Sequence, residues 1–258
     1  MSYSVLSLGA GVQSSTLALM AALGEIPAPH LAVFADTGWE PAAVYRHLDW
    51  LETQLTFPIV RVSAGNIRHD LMRFGKGNRW ASIPAFVRNE KGSAAMIRRQ
   101  CTTEYKVVPI RQAVRDALRI PRRGRTRKGV RVEMLLGIST DEAQRMKPSR
   151  VAFIENRWPL IDLGMSRADC LAWCADRGFP EPPKSSCVGC PFHTDAQWAN
   201  LTPAELTDAA IVDATIRRGV TQGELYLHRS LVPLAEIEFR PGPGPDPFGN
   251  ECEGLCGT

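Results

Sequence analysis

Short apolar runs alternate with segments of helical periodicity along the first part of the chain. Tyr3–Leu8, His30–Ala35 and Ile59–Val62 are apolar runs of strand length. Between them, Leu17–Leu23 is an apolar run that ends in glycine, and Glu40–Leu55 repeats apolar residues at helical spacing. Two successive strand–helix–strand units predict parallel strands joined by right-handed crossovers. The predicted fold class is therefore α/β, with a parallel sheet flanked by helices.

The regular alternation stops after the third strand. Residues 64–104 show no clear period, and within them Trp80–Val87 fits one arm of a hairpin that turns near Asn89–Gly92. Proline suits the first turn of a helix, so Pro109–Leu118 is expected to be helical. Val132–Gly137 is a further apolar run and predicts another buried strand.

Two capping boxes predict helices in the second half of the chain. Ser166–Asp169 opens one helix and Thr202–Glu205 opens another, because in each the first side chain can cap the helix and the acid can bond back. The tail from residue 241 is too rich in Gly and Pro for regular structure. We expect an α/β domain in residues 1–163 and a mostly helical, cysteine-bearing part in residues 164–258.

A glycine- and serine-rich loop, Ser7–Thr16, joins the first strand to the first helix. Gly9 and Gly11 let the backbone turn tightly, and the helix N-terminus and the serine hydroxyls supply donors for an anion. This arrangement suits a phosphate, and it also occurs as a plain strand-to-helix turn with a serine cap. The residues that follow exclude a Walker loop, and the glycine spacing excludes a dinucleotide-binding fingerprint.

Polar residues also follow the second predicted strand, at Asp36–Gly38. The carboxyl ends of parallel strands meet at one edge of a sheet, and ligands bind outside that edge. We therefore expect Asp36–Gly38 and the loop Ser7–Thr16 to face the same ligand, although Asp36 could also serve only to cap its own turn.

The charge balance allows a nucleic-acid partner without requiring one, since 258 residues carry a formal net charge of +4. The Arg/Lys-rich stretch Arg119–Arg131 is either a solvated loop or a contact to a polyanion. No apolar run is long enough to cross a membrane, and the first strand follows Met1 and Ser2 without a signal peptide. We expect a cytoplasmic location and no membrane contact.

The chain contains 7 cysteines. An odd number in a reducing compartment argues against a disulfide framework and for metal or redox chemistry. Cys187 and Cys190 have the spacing of a metal half-site. The second half would come from Cys101, whose arginine neighbours favour the thiolate, or from the tail cysteines Cys252 and Cys256.

The sequence leaves three interpretations of these cysteines open. Zinc could bind Cys187, Cys190, His193 and one more cysteine, and the nearby histidine favours it slightly. An iron–sulfur cluster could bind Cys187, Cys190, Cys101 and a tail cysteine. The cysteines could also be unligated, since lone Cys-x-x-Cys pairs do occur. Cys170 and Cys174 are one turn apart on a predicted helix, where small apolar cysteines are more often core than ligand, so Cys174 is set aside and Cys170 is kept only as an outside candidate.

The motifs, taken in order along the chain, resemble the PP-loop ATP pyrophosphatases, or adenine nucleotide alpha hydrolases. More narrowly, they are similar to the phosphoadenosine phosphosulfate reductase-like branch, which includes the DNA phosphorothioation sulfurtransferases. The segments that carry this resemblance span most of the chain: Ser7–Ser15, Phe34–Pro41, Arg99–Pro109, Leu135–Arg145, Trp158–Leu160 and Cys187–Pro191.

The resemblance implies that ATP lies across the carboxyl edge of the sheet. The residues assigned to the nucleotide are Ser7, Gly9, Gly11, Gln13, Ser14, Ser15, Asp36, Thr37, Gly38 and Arg145. The resemblance also favours a [4Fe–4S] cluster over zinc, held by Cys101, Cys187, Cys190 and Cys256. The residues assigned to catalysis are Cys252, Cys256 and Asp36, a tail cysteine acting either as the fourth ligand or as a mobile thiol.

The activity that the resemblance implies is an ATP-dependent sulfurtransferase. It would adenylate an oxygen of tRNA or DNA and insert sulfur that arrives as sulfide or from a sulfur-donor protein. Two alternatives remain. The first is a thiol-dependent reductase of adenylylsulfate or phosphoadenylylsulfate with Cys252 as the nucleophile, and the second is a nucleotide-binding module without turnover.

Residues 9–14, Gly-Ala-Gly-Val-Gln-Ser, stand where the family pattern is Ser-Gly-Gly-Lys-Asp-Ser, and two of the differences bear on the chemistry. Val12 replaces the lysine and Gln13 replaces the acid. The first change removes a cation from the phosphates, and the second weakens the case for Mg²⁺ at this position. Arg99, Lys106 or Arg145 could restore the positive charge.

Overall fold

The structure is a computed structural model. The structure describes residues 3–74, 83–88, 94–97, 100–122, 124–218 and 223–240. Several sequence-based expectations therefore lie outside the described residues, namely Trp80, the turn 89–92, Arg99, Cys252 and Cys256. Within the described part of the chain, no helix is both long and apolar enough to cross a membrane.

Five parallel strands form the central sheet, which confirms the predicted α/β fold. Their order is β3-β2-β1-β6-β7, and the strands are β1 (Tyr3–Leu8), β2 (Leu31–Asp36), β3 (Ile59–Ser63), β6 (Val132–Leu136) and β7 (Ile154–Arg157). The sequence analysis did not predict β7. Its residues Ile154-Glu155-Asn156-Arg157 are mostly polar because it is an edge strand that pairs only with β6.

Helices cover both faces of this sheet. The helices of the described residues are α1 (Val12–Ala22), α2 (Ala42–Gln54), α3 (Ile67–Phe74), α4 (Val108–Ala117), α5 (Pro159–Asp162), α6 (Arg167–Asp176), α7 (Asp195–Ala199) and α8 (Pro203–Ile216). Of these, α3, α7 and α8 pack together in a separate apolar cluster. Leu6 and Phe34 point to the face covered by α1, α2 and α6. Val5 and Val33 alternate with them and pack under α4 on the opposite face.

The first helix is longer than its apolar run suggested. We expected helix from Leu17, but α1 begins at Val12, with Gly11 as its N-cap. The polar residues of its first turns, including Ser14 and Ser15, are fully buried. Their polarity concealed the helix from an analysis of apolar periodicity.

The order of the strands reverses between β1 and β6. The chain runs outward from β1 to β3, crosses the sheet through α4, and returns as β6 on the other side of β1. Such a reversal separates the loops that leave the two central strands and creates the crevice where α/β sheets bind ligands. Here the loops after β1 and β6 flank that crevice.

The segment between β3 and β6 contains structure that the sequence analysis missed. Helix α3 was not predicted, because only Ile67 and Leu71 are buried among its residues 67–73, for which the structure describes burial. The expected hairpin is present as β4 (Phe86–Arg88) and β5 (Ala94–Met96), and β4 also pairs with β8 (Leu225–Tyr226). A π-helix, Thr102–Val107, leads directly into α4.

Both capping boxes predicted in the second half are confirmed. Ser166 caps α6 and Thr202 caps α8, and in each case the N3 acid bonds back to the N-cap backbone. Cys170 and Cys174 lie in the core between α6 and α1, as expected of small apolar residues. The division of the chain at residue 163 remains a prediction.

Candidate active site

The loop after β1 folds back on its own helix. The Gly9 amide donates to Ser14 Oγ at 3.2 Å, and the Ser15 amide donates to the Gly11 carbonyl at 3.0 Å, which starts α1. Ala10 holds a positive φ of 57° between the two glycines. The backbone turn expected of a phosphate loop is therefore present, but its positive φ falls on Ala10 and not on Gly9 or Gly11.

The head of α1 is closed to solvent in this structure. Gln13, Ser14 and Ser15 are each 0% exposed. Ser185, from the segment before the cysteine turn, covers the loop and donates its hydroxyl to the Gly9 carbonyl. A phosphate can reach the helix N-terminus only if the segment around Ser185 moves aside.

Gln13 connects the head of α1 to the segment after β6. Its Nε2 lies 3.2 Å from Ser139 Oγ and 3.3 Å from Glu142 Oε2. Glu142 in turn pairs with Arg145, with 2.5 Å between Oε2 and Nη1. Of the residues assigned to the nucleotide, the structure thus brings Arg145 next to the loop through Glu142.

The Asp36 carboxylate accepts hydrogen bonds from residues that follow it in the chain. Its Oδ1 accepts from the Gly38 amide at 2.7 Å and from the Tyr45 hydroxyl at 2.8 Å. Burial and the neighbouring Asp36 carboxylate raise the pKa of Tyr45 well above its usual value, so that phenol stays a donor. These bonds fit the capping role that we weighed for Asp36, and its assignment to catalysis remains a prediction.

Three cysteines from distant parts of the chain line one cavity. Cys101 precedes the π-helix, and Cys187 and Cys190 flank a turn far along the sequence. The cavity measures about 30 Å³, and Thr37, Trp39 and Lys106 are also among its walls. Cys101, Cys187 and Cys190 are three of the four predicted metal ligands, and the fourth, Cys256, is not among the described residues.

The turn between Cys187 and Cys190 is held against the segment that follows β2. The Cys190 amide donates to the Cys187 carbonyl at 3.0 Å, and the Val188 amide donates to the Trp39 carbonyl at 2.8 Å. Thr37 Oγ1 lies 3.2 Å from Cys187 Sγ. The segment after β2 is therefore in direct contact with the cysteine cavity.

A buried ion pair lies beside Cys187. Lys106 Nζ is 3.3 Å from Glu40 Oε1, and the two side chains are only 7% and 1% exposed. Burial, and then the Glu40 carboxylate, raise the pKa of Cys187 well above its usual value, and Lys106 opposes them. The thiol is therefore protonated when no metal is bound, and metal binding would release that proton.

Three cysteines line one cavity, and whether they hold a cluster or a single ion remains a prediction. Within the part of the chain that the structure describes, no three Cys, His, Asp or Glu side chains converge closely enough to hold one metal ion. His193, the zinc ligand we had considered, does not line the cavity and instead pairs its Nε2 with Ser186 Oγ at 2.7 Å. A [4Fe–4S] cluster binds each thiolate through a different iron, so its cysteines lie farther apart.

A larger, more polar pocket adjoins the cysteine turn. It measures about 330 Å³, and Ser186 and His193, on either side of the turn, form part of its wall. Arg46 and Lys184 bring two cations to it, and Glu205 brings one carboxylate.

The carboxylate of that pocket is already engaged. Glu205 Oε1 accepts from the Ala42 amide at 2.8 Å, and Oε2 accepts from the Thr202 amide at 2.9 Å. Burial opposes the ionised form, but these bonds and the charge of Arg46 lower the pKa of Glu205. The pocket lining therefore holds two cations and one ionised carboxylate.

The basic stretch Arg119–Arg131 lies at the other end of the sheet. It leads into the amino end of β6, where the Arg131 carbonyl accepts from the Tyr3 amide at the start of β1. A strand of five residues spans about 17 Å. The stretch is thus separated from the loop and the cysteine cavity by the length of the sheet.

Sequence reasoning missed two buried acids of the site, Glu40 and Glu142. Glu40 follows the carboxyl end of β2 and Glu142 follows that of β6. In open α/β sheets, ligands bind outside these strand ends. That position was the available signal, but only the structure shows that both acids are buried and paired with cations.

These features define an α/β protein with a parallel sheet, a glycine loop at the strand-order reversal and three cysteines around one cavity at the same edge. The structure is similar to the crystal structure of phosphoadenylyl-sulfate (PAPS) reductase from Candida auris in its phosphate complex. The TM-score is 0.43 and the identity 13%, over 78% of this chain and 84% of that chain. By sequence, the chain matches no protein-family model and no curated protein.

Proposed function

We propose that this protein is an ATP-dependent sulfurtransferase that works on a nucleic-acid acceptor. One observation carries the proposal. The segment after β2 lies at the carboxyl edge of the sheet and also touches the cysteine cavity, with Thr37 Oγ1 3.2 Å from Cys187 Sγ. A nucleotide at this edge would lie next to the thiols. Sulfur transfer to a nucleotide-activated acceptor requires that proximity.

The chemistry proceeds in two displacements. An oxygen of the acceptor attacks the α-phosphorus of ATP, forms a P–O bond and expels pyrophosphate. Sulfide, held in the cysteine cavity, then attacks the activated carbon, forms a C–S bond and expels AMP. Sulfide already carries sulfur in its reduced state, so the exchange of oxygen for sulfur consumes no reductant.

Cys101, Cys187 and Cys190 would hold a [4Fe–4S] cluster in this proposal, with a tail cysteine as the fourth ligand or a mobile thiol. Such a cluster would keep sulfur deprotonated next to the nucleotide. The chain itself supplies the buried Lys106–Glu40 pair at the cavity wall and a cavity lined largely by apolar residues such as Trp39 and Ile83. The apolar walls limit the access of water to the sulfur.

The acceptor would approach through the polar pocket next to the cysteine turn. Arg46 and Lys184 offer cations for phosphate groups there, at the same edge of the sheet as the cavity. The basic stretch Arg119–Arg131 lies too far away to hold the reacting nucleotide. It could contact only a distant part of a large acceptor such as tRNA.

The test uses the full chain, purified without oxygen. We expect roughly four irons per chain, as a [4Fe–4S] cluster implies, and release of pyrophosphate from ATP when the correct tRNA or DNA is present. Cys101→Ala, Cys187→Ala and Cys190→Ala should each lose most of the iron. Cys170→Ala is the matched control, because Cys170 is buried in the core beside α1, and it should retain the iron.

Three results would contradict the proposal. A colourless protein with one zinc would remove the cluster. Absence of pyrophosphate release with every tRNA and DNA preparation would remove the transferase activity. Release of sulfite from adenylylsulfate that depends on Cys252 would indicate the reductase instead.

A further inference from the structure

Gln13 stands at the position where the loop of the resembled family carries an acid. In this chain a carboxylate from another element, Glu142, lies next to the Gln13 side chain. The Gln13 side chain is fully buried, and its Nε2 lies 3.3 Å from Glu142 Oε2. Glu142 comes from the segment after β6, and 129 positions separate the two residues in sequence. The carboxylate missing from the loop is therefore supplied by another element.

The same carboxylate holds a cation. Glu142 Oε2 lies 2.5 Å from Arg145 Nη1, and the two side chains are only 3% and 10% exposed. A 3₁₀ segment, Thr140–Arg145, carries both, and its backbone leaves helical geometry at Glu142. The loop has no cation at Val12, and the Arg145 guanidinium lies in the same region, held by the Glu142 carboxylate.

Close backbone packing fixes this arrangement. Gly137 follows β6 and touches the start of α1, where a Cβ on Gly137 would lie 2.8 Å from the Ser14 backbone nitrogen. No real side chain tolerates that distance, so the glycine lets the two central loops meet. Gln13 and Glu142 are brought together at the point where the strand order reverses.

One atom of Gln13 remains available to a ligand. Gln13 Oε1 is buried and has no hydrogen-bond partner among the described residues. An unsatisfied buried acceptor costs about 1–3 kcal/mol. A donor from a bound ligand, such as a nucleotide hydroxyl, would offset that cost.

We propose that Glu142 is a positioning residue of the nucleotide site: it links Gln13 to Arg145, so that Arg145 supplies the phosphates with the charge that Val12 does not. The inference rests on the proposed nucleotide-dependent function and names a residue that the loop motif does not contain. In this chain the acid Glu142 and the base Arg145 both lie in the segment after β6.

An isosteric exchange tests the link. Glu142→Gln removes the partner of Arg145, and Gln13→Glu places a second carboxylate against the first. The double variant Gln13→Glu with Glu142→Gln returns one carboxylate and one amide with the two positions exchanged. Binding of ATP and of adenosine to the full chain is measured for all four proteins by calorimetry.

We expect each single variant to bind ATP about tenfold more weakly, which corresponds to about 1.4 kcal/mol. The exchange variant should recover most of that loss, because coupled residues are non-additive. Adenosine carries no phosphate, so its affinity should stay the same in Glu142→Gln, which leaves Gln13 intact. A purely structural role for Glu142 would weaken both ligands alike.

Three outcomes would overturn the inference: ATP affinity unchanged in Glu142→Gln, equal losses for ATP and adenosine, or an exchange variant no better than the single variants. Failure of the wild-type protein to bind ATP would overturn it as well. A wild-type protein that binds ATP as described but transfers no sulfur would refute the sulfurtransferase and leave the role of Glu142 standing.

Discussion

The indole ring of Trp39 lies directly on the backbone of Gly189. A Cβ on Gly189 would be 2.1 Å from Trp39 Cη2 and 2.5 Å from Cζ3. The Trp39 carbonyl also accepts the Val188 amide at 2.8 Å, and the indole nitrogen donates to Asp208 of α8 at 2.8 Å. Trp39 therefore joins the carboxyl edge of the sheet, the turn between Cys187 and Cys190, and helix α8.

Gly189→Ala should displace the cysteine turn, because the new methyl group would overlap the indole of Trp39. Overpacking of this kind costs about 1–3 kcal/mol. We expect a lower free energy of unfolding in urea and loss of most of the iron bound by anaerobically prepared protein.

A second substitution provides the control for that prediction. Trp39→Phe removes Cη2, one of the ring atoms closest to position 189, so Gly189→Ala should cost less stability in the Trp39→Phe protein than in the wild type. Equal costs in the two backgrounds would show that the contact with Trp39 does not limit position 189.

Lys106→Met should strongly destabilise the protein. It leaves the Glu40 carboxylate, whose side chain is 1% exposed, without its cation. Breaking a buried pair by removing one partner costs about 3–5 kcal/mol. Equilibrium unfolding in urea measures the effect.

The matched variant for this pair is Lys106→Met combined with Glu40→Gln. It removes both charges, and the glutamine can still accept from Thr37, which lies 3.1 Å from Glu40 Oε1. It should recover at least half of the lost stability. A loss below about 1 kcal/mol in Lys106→Met alone, the value of an exposed pair, would contradict the prediction.

His47 should make stability depend on pH in the acidic range. Burial lowers its pKa to about 4 from the ordinary 6.5, and its Nε2 lies 2.9 Å from Ser15 Oγ. The unfolded chain then takes up a proton at higher pH than the folded chain does. The contribution is full above pH 6.5 and is lost as the pH falls towards 4, up to roughly 3 kcal/mol.

Urea unfolding between pH 7 and pH 4 tests this, with His47→Gln compared to the wild type. The variant should lose less stability across that window. His69→Gln, at an exposed position, is the control and should follow the wild-type curve. If His47→Gln follows it too, His47 is not buried in its neutral form.

A nucleic-acid acceptor should depend on the cations at the carboxyl edge of the sheet. Arg46→Glu with Lys184→Glu should weaken binding of a tRNA pool and lower the salt dependence of that binding by about one unit of slope per lost phosphate contact. Arg125→Glu with Arg127→Glu, from the basic stretch at the opposite edge, is the matched charge reversal. If only this second pair weakens binding, the acceptor contacts the far edge and not the polar pocket.

The sequence alone determined the core architecture of this protein. Apolar runs of strand length and helical periodicity act locally, and they correctly predicted the parallel sheet. The capping boxes at Ser166 and Thr202 also act locally and were correct. Patterns of this kind missed α3 and β7, because a short helix and an edge strand bury too few residues to show a period.

Only the tertiary structure decided which residues of the site meet. The meeting of Cys101 with Cys187 and Cys190, and of Gln13 with Glu142, depends on the strand-order reversal and on close packing at Gly137 and Gly189. Such contacts join residues more than eighty positions apart. No local pattern carries that information, because it arises only when the crossovers place distant loops at the same edge of the sheet.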